Sequence, residues 1–239
     1  MPTVRDLADH LAPALDRERY HREGDPAGVW IDSPRDVRRL ALRLEPGRPP
    51  YPWAESVDAV LIHRPFGLWP ARLPEGVGVI AAHRALDDKH SIGVNPALAD
   101  ALGLEADGEI LRRDGRAKGA IARFRTPLSA DDATDRVARE FGGVEEIWGE
   151  APETVHSIAL AGAMTDAMVR DAAAHGAGLY LTGQLRKPGR RAVEDSQILA
   201  VGVGQDRAEA WGLRRLGAVV RERWPEVEIV ESGLPVLVR

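Results

Sequence analysis

The spacing of apolar residues at the start of the chain predicts an amphipathic helix. Its buried face would carry Val4, Leu7, Leu11 and Leu15, which recur every three or four positions. The polar stretch at residues 21–28 contains Gly and Pro and predicts the end of the helix. Three apolar runs bounded by Pro or Gly follow, and they predict strands at residues 37–44, 57–63 and 77–82.

The middle of the chain mixes helix and strand patterns. Residues 95–104 predict a short helix in which Asn95 is the N-cap and Pro96 takes the first helical position, because both suit the unpaired N–H groups there. The segments that follow predict a strand at 118–124, a helix at 131–140, a strand-like run at 144–148 and a linker at 149–154.

The last third of the chain alternates between strand and helix patterns. This alternation predicts an α/β architecture with helices packed on a mostly parallel sheet. The predicted strands lie at 157–160, 178–181, 198–203 and 227–230, and the predicted helices at 165–175 and 207–223. We expect one unit over residues 1–239, with an N-terminal α/β half at about 1–127, a connecting segment at about 128–154 and a C-terminal α/β half at about 155–239.

Composition narrows the chemistry that this chain can carry. Its 239 residues are 44% hydrophobic and 29% charged, which suits one large or two small globular domains. The net charge of -5 does not indicate a positively charged surface of the kind that binds nucleic acid. Cysteine is absent, so disulfides, thiolate ligands and a Cys nucleophile are excluded. His, Asp and Glu remain as the metal ligands to consider.

Charged residues interrupt the apolar positions of the first segment. Arg5, Asp6, Asp9 and Asp16 lie between them. Neither the core of a secretory signal nor a membrane span tolerates such charges. We therefore expect a cytoplasmic protein.

Polar side chains follow several predicted strands, at the positions where open α/β sheets bind ligands. His63 ends one apolar run. His83 and Asp87 lie four residues apart after another run, and Gln205 and Glu209 have the same spacing at a predicted helix start. A spacing of four places both side chains on one helical face, as a shared metal ion requires.

Each of these residues also has an ordinary structural explanation. A strand-end histidine such as His63 can bond to backbone, and Asp87 can be a surface carboxylate. Glu209 would lie near the start of a helix, where the helix dipole favours negative charge. The spacing alone leaves both interpretations open.

The order of these segments resembles the NIF-three-like family, whose members are also known as type-two GTP cyclohydrolase I homologues. That family carries a paired-histidine strand end, a His-x-x-x-Asp segment, Thr-Gly-Glu/Asp and Gly-His-x-x-x-Glu, in this order. The corresponding segments here are 63–64, 83–87, 182–184 and 204–209. Residues 25–29 and 93–104 are similar to further family segments, so the resemblance covers nearly the whole chain.

The resemblance implies a fold and a set of site residues. The expected fold is α/β, with mixed sheets flanked by helices in two related α/β halves and without the large middle domain that some members insert. The expected metal ligands are His63, His83, Asp87, Gln205 and Glu209, and the expected substrate-binding residues are Arg64, Thr182 and Gln184.

Three substitutions depart from the family pattern. Arg64 stands at the second histidine of the pair, Gln205 at the histidine of Gly-His, and Gln184 at the acidic residue of Thr-Gly-Glu. Arg64 would bring a permanent positive charge and could pair with Asp87 or Glu209. We therefore expect at most one divalent ion per chain, either zinc, manganese or iron.

Two hypotheses about function follow. The first is a metal-dependent hydrolase of a small substrate that contains a nucleotide or phosphate group. The second is a non-catalytic binding or assembly protein, in which the metal site has become a network of Arg64 and carboxylates. The family implies a ring-like homo-oligomer such as a hexamer. Nucleic acid is the least favoured partner because the net charge is negative, and no membrane partner is expected.

Overall fold

The chain folds into two compact units. The computed structural model describes residues 1–113 and 115–237. The first unit contains residues 1–87 and 209–234, and the second contains residues 88–208 and a C-terminal segment that starts at Pro235. Among the described residues, no helix is both long enough and apolar enough to cross a membrane.

The first unit contains a five-stranded mixed sheet. Its strands are β1 (Ala27–Ile31), β2 (Arg39–Arg43), β3 (Ala59–Ile62), β4 (Gly78–Ala82) and β11 (Glu228–Glu231). Their order is β1-β4-β3-β2-β11, in which β1 is an antiparallel edge strand and the other neighbours are parallel. Four helices lie wholly or mostly in this unit: α1 (Val4–Leu15), α2 (Arg17–Arg22), α3 (Arg84–Lys89) and α8 (Gln205–Arg223).

Successive side chains of the central strands alternate between two hydrophobic cores, one on each face of the sheet. In β3, Ala59 and Leu61 belong to a core that also contains the apolar face of α1. Val60 and Ile62 belong to a second core on the opposite face of the sheet. Because both faces are buried, these strands have continuous apolar runs, and the three strands predicted at 37–44, 57–63 and 77–82 are confirmed.

The N-terminal helix forms as predicted, but helical structure continues beyond it. Thr3 and Asp6 form a capping box that starts α1. Asp16 then adopts a left-handed conformation with φ of 47°, and α2 continues to Arg22. Helical structure therefore extends into the polar stretch at 21–28, where the sequence predicts its end.

Gly78→Ala is expected to lower the free energy of unfolding by about 1–3 kcal/mol. A Cβ atom at position 78 would overlap Cγ2 of Val4 and lie 3.2 Å from Cβ of Ser33. Gly108→Ala is the matched control, because its Cβ would meet Cβ of Ile121 at an ordinary 3.8 Å. Chemical denaturation compares the two variants, and equal losses would contradict this packing of α1 on β4.

The second unit contains a six-stranded mixed sheet. Its strands are β5 (Leu104–Arg113), β6 (Arg116–Leu128), β7 (Glu146–Trp148), β8 (Val155–Ala161), β9 (Leu179–Thr182) and β10 (Leu199–Gly202). Their order is β5-β6-β8-β9-β10-β7, with β8, β9 and β10 parallel. The helices are α4 (Pro96–Ala101), α5 (Ala130–Phe141), α6 (Asp166–Ala174) and α7 (Lys187–Ser196).

Two elements of the second unit differ from the predictions. Asn95 caps α4 as predicted, since its side chain accepts a hydrogen bond from the N–H of Leu98. The helix nevertheless ends at Ala101, and Leu104 already begins β5. The sequence does not predict helix α7, because its residues Pro188 and Gly189 have the poorest helix propensities. A proline in the first turn costs no hydrogen bond, so the helix forms.

The predicted fold class is confirmed, because both units contain mixed sheets flanked by helices. The boundaries of the units, however, differ from the predicted halves at about 1–127 and 155–239. Strand β11 pairs in parallel with β2, so residues 209–234 belong to the first unit. No local pattern in the sequence indicates this long-range strand pairing.

Candidate metal centre

His63 is held at the end of β3 by two hydrogen bonds. Its backbone N–H donates to the carbonyl oxygen of Arg43 at 3.0 Å, and its Nδ1 lies 2.9 Å from the carbonyl oxygen of Ala82, which ends β4. A carbonyl oxygen can only accept, so Nδ1 carries the proton. Nε2 of the neutral ring is therefore an acceptor, and the side chain that carries it is fully buried.

Asp87 and Glu209 bring two carboxylates towards this nitrogen. Nε2 of His63 lies 3.4 Å from Oδ1 of Asp87 and 3.4 Å from Oε1 of Glu209. Asp87 lies in α3, shortly after β4, and Glu209 lies in α8. The side chain of Glu209 is 1% exposed and that of Asp87 is 38% exposed. The three residues offer ligand atoms that all lie within 4.8 Å of one another.

The atoms of this cluster fit a metal ion. Within residues 1–113 and 115–237, Nε2 of His63 and Oδ1 of Asp87 are buried and have no hydrogen-bond partner. Buried acceptors without a donor cost free energy, and a cation among them would remove that cost. One imidazole nitrogen and two carboxylates are also a donor set that zinc, manganese and iron accept.

The surroundings of the cluster shift its pKa values. Burial works to lower the pKa of His63, but the carboxylates of Glu209 and Asp87 outweigh it and raise that pKa above its usual value. Burial raises the pKa of Asp87, and the positive charge of a protonated His63 offsets this in part. Protons therefore compete with a metal ion for these ligands, and we expect metal affinity to fall as the pH falls.

Arg64 lies against Glu209. Its Nη1 donates to Oε1 of Glu209 at 2.8 Å, and its Nε donates to Oε1 of Glu45 at 2.9 Å. Burial works to lower the pKa of Arg64, but Glu209 and Glu45 outweigh it and raise that pKa, so the guanidinium stays charged. Arg64 therefore forms ion pairs with Glu45 and with Glu209, and Glu209 is one of the two partners that the sequence predicts for it.

His83 is tied to a different carboxylate. Its Nδ1 lies 2.7 Å from Oδ1 of Asp25, and Oδ2 of Asp25 accepts a hydrogen bond from the N–H of Arg84 at 2.9 Å. The ring centroids of His83 and His63 are 5.5 Å apart. His83 therefore lies beside the cluster of His63, Asp87 and Glu209 but does not belong to it. A carboxylate that fixes one ring nitrogen orients the other for a ligand or a proton.

The three other predicted site residues belong to the second unit. Thr182 ends β9 and is fully buried, and its Oγ1 has no hydrogen-bond partner among the residues that the structure describes. Gln184 lines a cavity of about 180 Å³ together with Glu145 and Glu146. Gln205 is the first residue of α8. The ligand and substrate roles of these residues stay predictions.

Two carboxylates that position the site residues are not among the residues predicted from the sequence. Asp25 holds His83, and it stands in the segment 25–29, whose similarity to a family segment is a signal that could have identified it. Glu45 holds Arg64 from a loop after β2. No local pattern connects Glu45 with Arg64, because their contact depends on the pairing of β2 with β3.

Comparisons with known proteins agree on one family. The family model described as Duf34/NIF3 (NGG1p interacting factor 3) matches residues 71–234. A protein from Pseudomonas aeruginosa named GTP cyclohydrolase 1 type 2 homolog is 24% identical over an alignment of 241 positions, which covers 94% of this chain and 93% of that protein. A protein of the same name from Archaeoglobus fulgidus is 22% identical over 212 residues, which cover 82% of this chain and 84% of that protein.

Solved structures share the fold over nearly the whole chain. A Thermus thermophilus protein, TTHA1606, superposes with a TM-score of 0.67 at 18% identity, covering 99% of this chain and 100% of that one. The Bacillus cereus protein related to NIF3 also has a TM-score of 0.67, at 14% identity and 98% coverage of both chains. These likenesses confirm the expected fold. Because the family model matches well over half of the sequence, the chain belongs to the Duf34/NIF3 family.

Proposed function

We propose that this protein is a metal-dependent hydrolase of a small substrate that contains a nucleotide or phosphate group. The observation that carries the proposal is the buried cluster of His63, Asp87 and Glu209, in which Nε2 of His63 and Oδ1 of Asp87 face each other without a donor. Zinc, manganese or iron would suit this donor set. The name of the two relatives, GTP cyclohydrolase 1 type 2 homolog, supports a nucleotide substrate.

The balance of charge favours one ion per chain. The carboxylates of Asp87, Glu209 and Glu45 carry three negative charges, and Arg64 beside them carries one positive charge. A single divalent ion would therefore leave the group with no net charge. A second ion would add two more positive charges close to the guanidinium, and in a partly buried site such repulsion is large.

The chain's own residues would hold the ion and handle the proton. A bound divalent ion supplies Lewis-acid polarisation of a substrate oxygen and a lower pKa for a water molecule. His63 is fixed by Ala82, so this ligand is preorganised, whereas Arg64 competes with the ion for Oε1 of Glu209. Asp87 is the most exposed of the three ligands, so substrate would enter on its side. His83, oriented through Nδ1 by Asp25, offers Nε2 as the proton acceptor.

A non-catalytic binding or assembly protein is the second candidate. The ion pair between Arg64 and Glu209 favours it, because the guanidinium already balances one carboxylate of the cluster at 2.8 Å. Such a protein would keep its structure and its ligand affinity without any metal. The two candidates therefore differ in whether function requires an ion at His63, Asp87 and Glu209.

Three further properties remain proposals that rest on the family and the composition. A ring-like homo-oligomer such as a hexamer follows from the family, and light scattering in solution would measure its mass. A cytoplasmic location also remains a proposal, which fractionation of cells that express the protein would test. Nucleic acid stays the least favoured partner, because the net charge is -5.

Asp87→Asn is expected to abolish both metal binding and hydrolysis, whereas Asp88→Asn is expected to preserve both. Asp88 is the neighbouring carboxylate, and it is exposed and outside the cluster. After incubation with zinc, manganese or iron and dialysis, elemental analysis should find about one ion per chain in the wild type. Conversion of GTP, by loss of phosphate or by hydrolytic opening of the base, is then measured on the same samples by chromatography of the products. Bound metal without turnover would favour the binding protein, and a wild type without metal would exclude the hydrolase.

A further inference from the structure

A cleft lies beside the candidate metal centre. It has a volume of about 320 Å³, and its walls include His21, Asp25, Gly28, Trp30 and Phe66. Such a volume lies at the lower end of the range for small-molecule sites, which combine aromatic walls with a few polar groups. We propose that this cleft binds the nucleobase of the substrate, a proposal that rests on the hydrolase function above.

A β-bulge places Trp30 in the wall of this cleft. The register of β1 against β4 shifts between Val29 and Ile31, so Trp30 is the extra residue of the strand. In a regular strand, successive side chains point to opposite faces. Here Val29 and Trp30 are both exposed, by 36% and 46%. Bulges often lie next to binding sites, where they redirect a side chain.

A row of rings connects the cleft with the metal ligands. Trp30 and Phe66 meet edge to face at a centroid distance of 6.5 Å, and Phe66 meets His83 edge to face at 5.0 Å. His83 lies 5.5 Å from His63 by ring centroids. A ring bound against Trp30 and Phe66 would therefore lie close to His83, the proposed proton acceptor. The cleft and the cluster are parts of one site in the first unit.

The chemistry of the walls suits a planar heteroaromatic ring. Trp30 and Phe66 expose 46% and 53% of their surfaces, and exposed aromatic faces stack on bases. Strand β1 is at the edge of its sheet, so one side of its backbone has no neighbouring strand among the described residues. Its N–H and C=O groups on that side, together with His21, can bond to the nitrogen and oxygen atoms of a base. The polar wall and small volume argue against an apolar contact with a second copy of the chain.

Calorimetric titration of the metal-free protein with GMP and AMP tests the proposal, and ribose 5-phosphate serves as the probe without a base. We expect both nucleotides to bind at least about tenfold more tightly than ribose 5-phosphate. Trp30→Leu and Phe66→Leu should each weaken nucleotide binding about tenfold, so that the preference over ribose 5-phosphate falls by the same factor. Trp69→Leu is the matched control, because Trp69 is 58% exposed but does not line the cleft, and it should change affinity less than about twofold.

The same titrations separate this proposal from the hydrolase proposal. In Asp87→Asn the preference for nucleotides should persist, because the cleft does not need the metal. Equal binding of nucleotides and ribose 5-phosphate, or equal losses in all three leucine variants, would overturn the nucleobase site. So would a Trp30→Leu variant that changes the mass in solution but not nucleotide affinity, since a second chain would then cover the cleft. A retained nucleotide preference without metal binding would refute the hydrolase alone.

Discussion

Replacing Arg64 by methionine is expected to lower the free energy of unfolding of the metal-free protein by about 2–3 kcal/mol. The side chain of Glu209 is 1% exposed, and its Oε1 accepts a hydrogen bond from Arg64 at 2.8 Å. Removing one partner of a buried pair leaves the other charge uncompensated, which costs about 3–5 kcal/mol when both are buried. Arg64 is 28% exposed, so the expected loss is smaller.

Metal should restore most of the stability that Arg64→Met loses. The variant keeps the same three ligands and lacks the competing guanidinium. A divalent ion can therefore compensate the negative charge of Glu209 instead. Ligand at about 100 times its Kd stabilises a protein by about 2.7 kcal/mol. Urea denaturation with and without zinc measures both effects. We expect zinc to stabilise Arg64→Met more than it stabilises the wild type.

Two controls test the cause of this loss. Glu45→Gln removes the charge of the other partner of Arg64. Because the side chain of Glu45 is 61% exposed, this change should lower the free energy of unfolding by less than about 0.5–1 kcal/mol. The double variant Arg64→Met/Glu209→Gln should be more stable than Arg64→Met alone, because it contains no uncompensated buried carboxylate. If Arg64→Met lost no more than Glu45→Gln, the ion pair would have no structural importance.

Replacing Glu209 by glutamine is expected to weaken zinc binding at least about 100-fold. Residues that only orient a metal ligand already contribute about 10–100-fold to affinity, and Glu209 would itself be a ligand. The amide keeps the size of the side chain but removes its charge, so this change isolates the electrostatic contribution. Calorimetric titration with zinc measures the affinity, and hydrolysis should disappear in the same variant.

The control for this variant is again Glu45→Gln, which makes the same chemical change on the other side of Arg64. It should alter zinc affinity by less than about threefold, since Glu45 contacts the guanidinium and does not belong to the cluster. If both glutamine variants weakened zinc equally, the effect would come from Arg64 and not from a metal ligand. That result would contradict the assignment of Glu209.

Much of the fold follows from local sequence patterns. The strands that end near His63 and near His83 were identifiable because both of their faces are buried, which makes them continuously apolar. Asn95 caps its helix as predicted, because its side chain accepts a backbone hydrogen bond at the helix start. Thr165 does the same for α6, although the sequence predicts it as part of the helix at 165–175. Local chemistry is enough where a structural element depends mainly on its own residues.

Other features depend on contacts between distant residues and could not be predicted locally. Glu209 meets Arg64 across 145 positions of the chain, and Asp25 meets His83 across 58 positions. The exposure of Trp30 depends on how β1 pairs with β4, because the bulge exists only in that pairing. The sequence predicts that Arg64 could pair with Asp87 or Glu209, and the fold brings it into contact with Glu209.

We propose above all that His63, Asp87 and Glu209 hold one divalent ion beside Arg64. Calorimetric titration of the metal-free wild type with zinc, alongside Asp87→Asn and Glu209→Gln, is the decisive experiment. We expect one ion per wild-type chain, no binding in Asp87→Asn and at least about 100-fold weaker binding in Glu209→Gln. Two ions per chain would contradict the role of Arg64, and binding that is absent from the wild type or unchanged in both variants would contradict the metal centre itself.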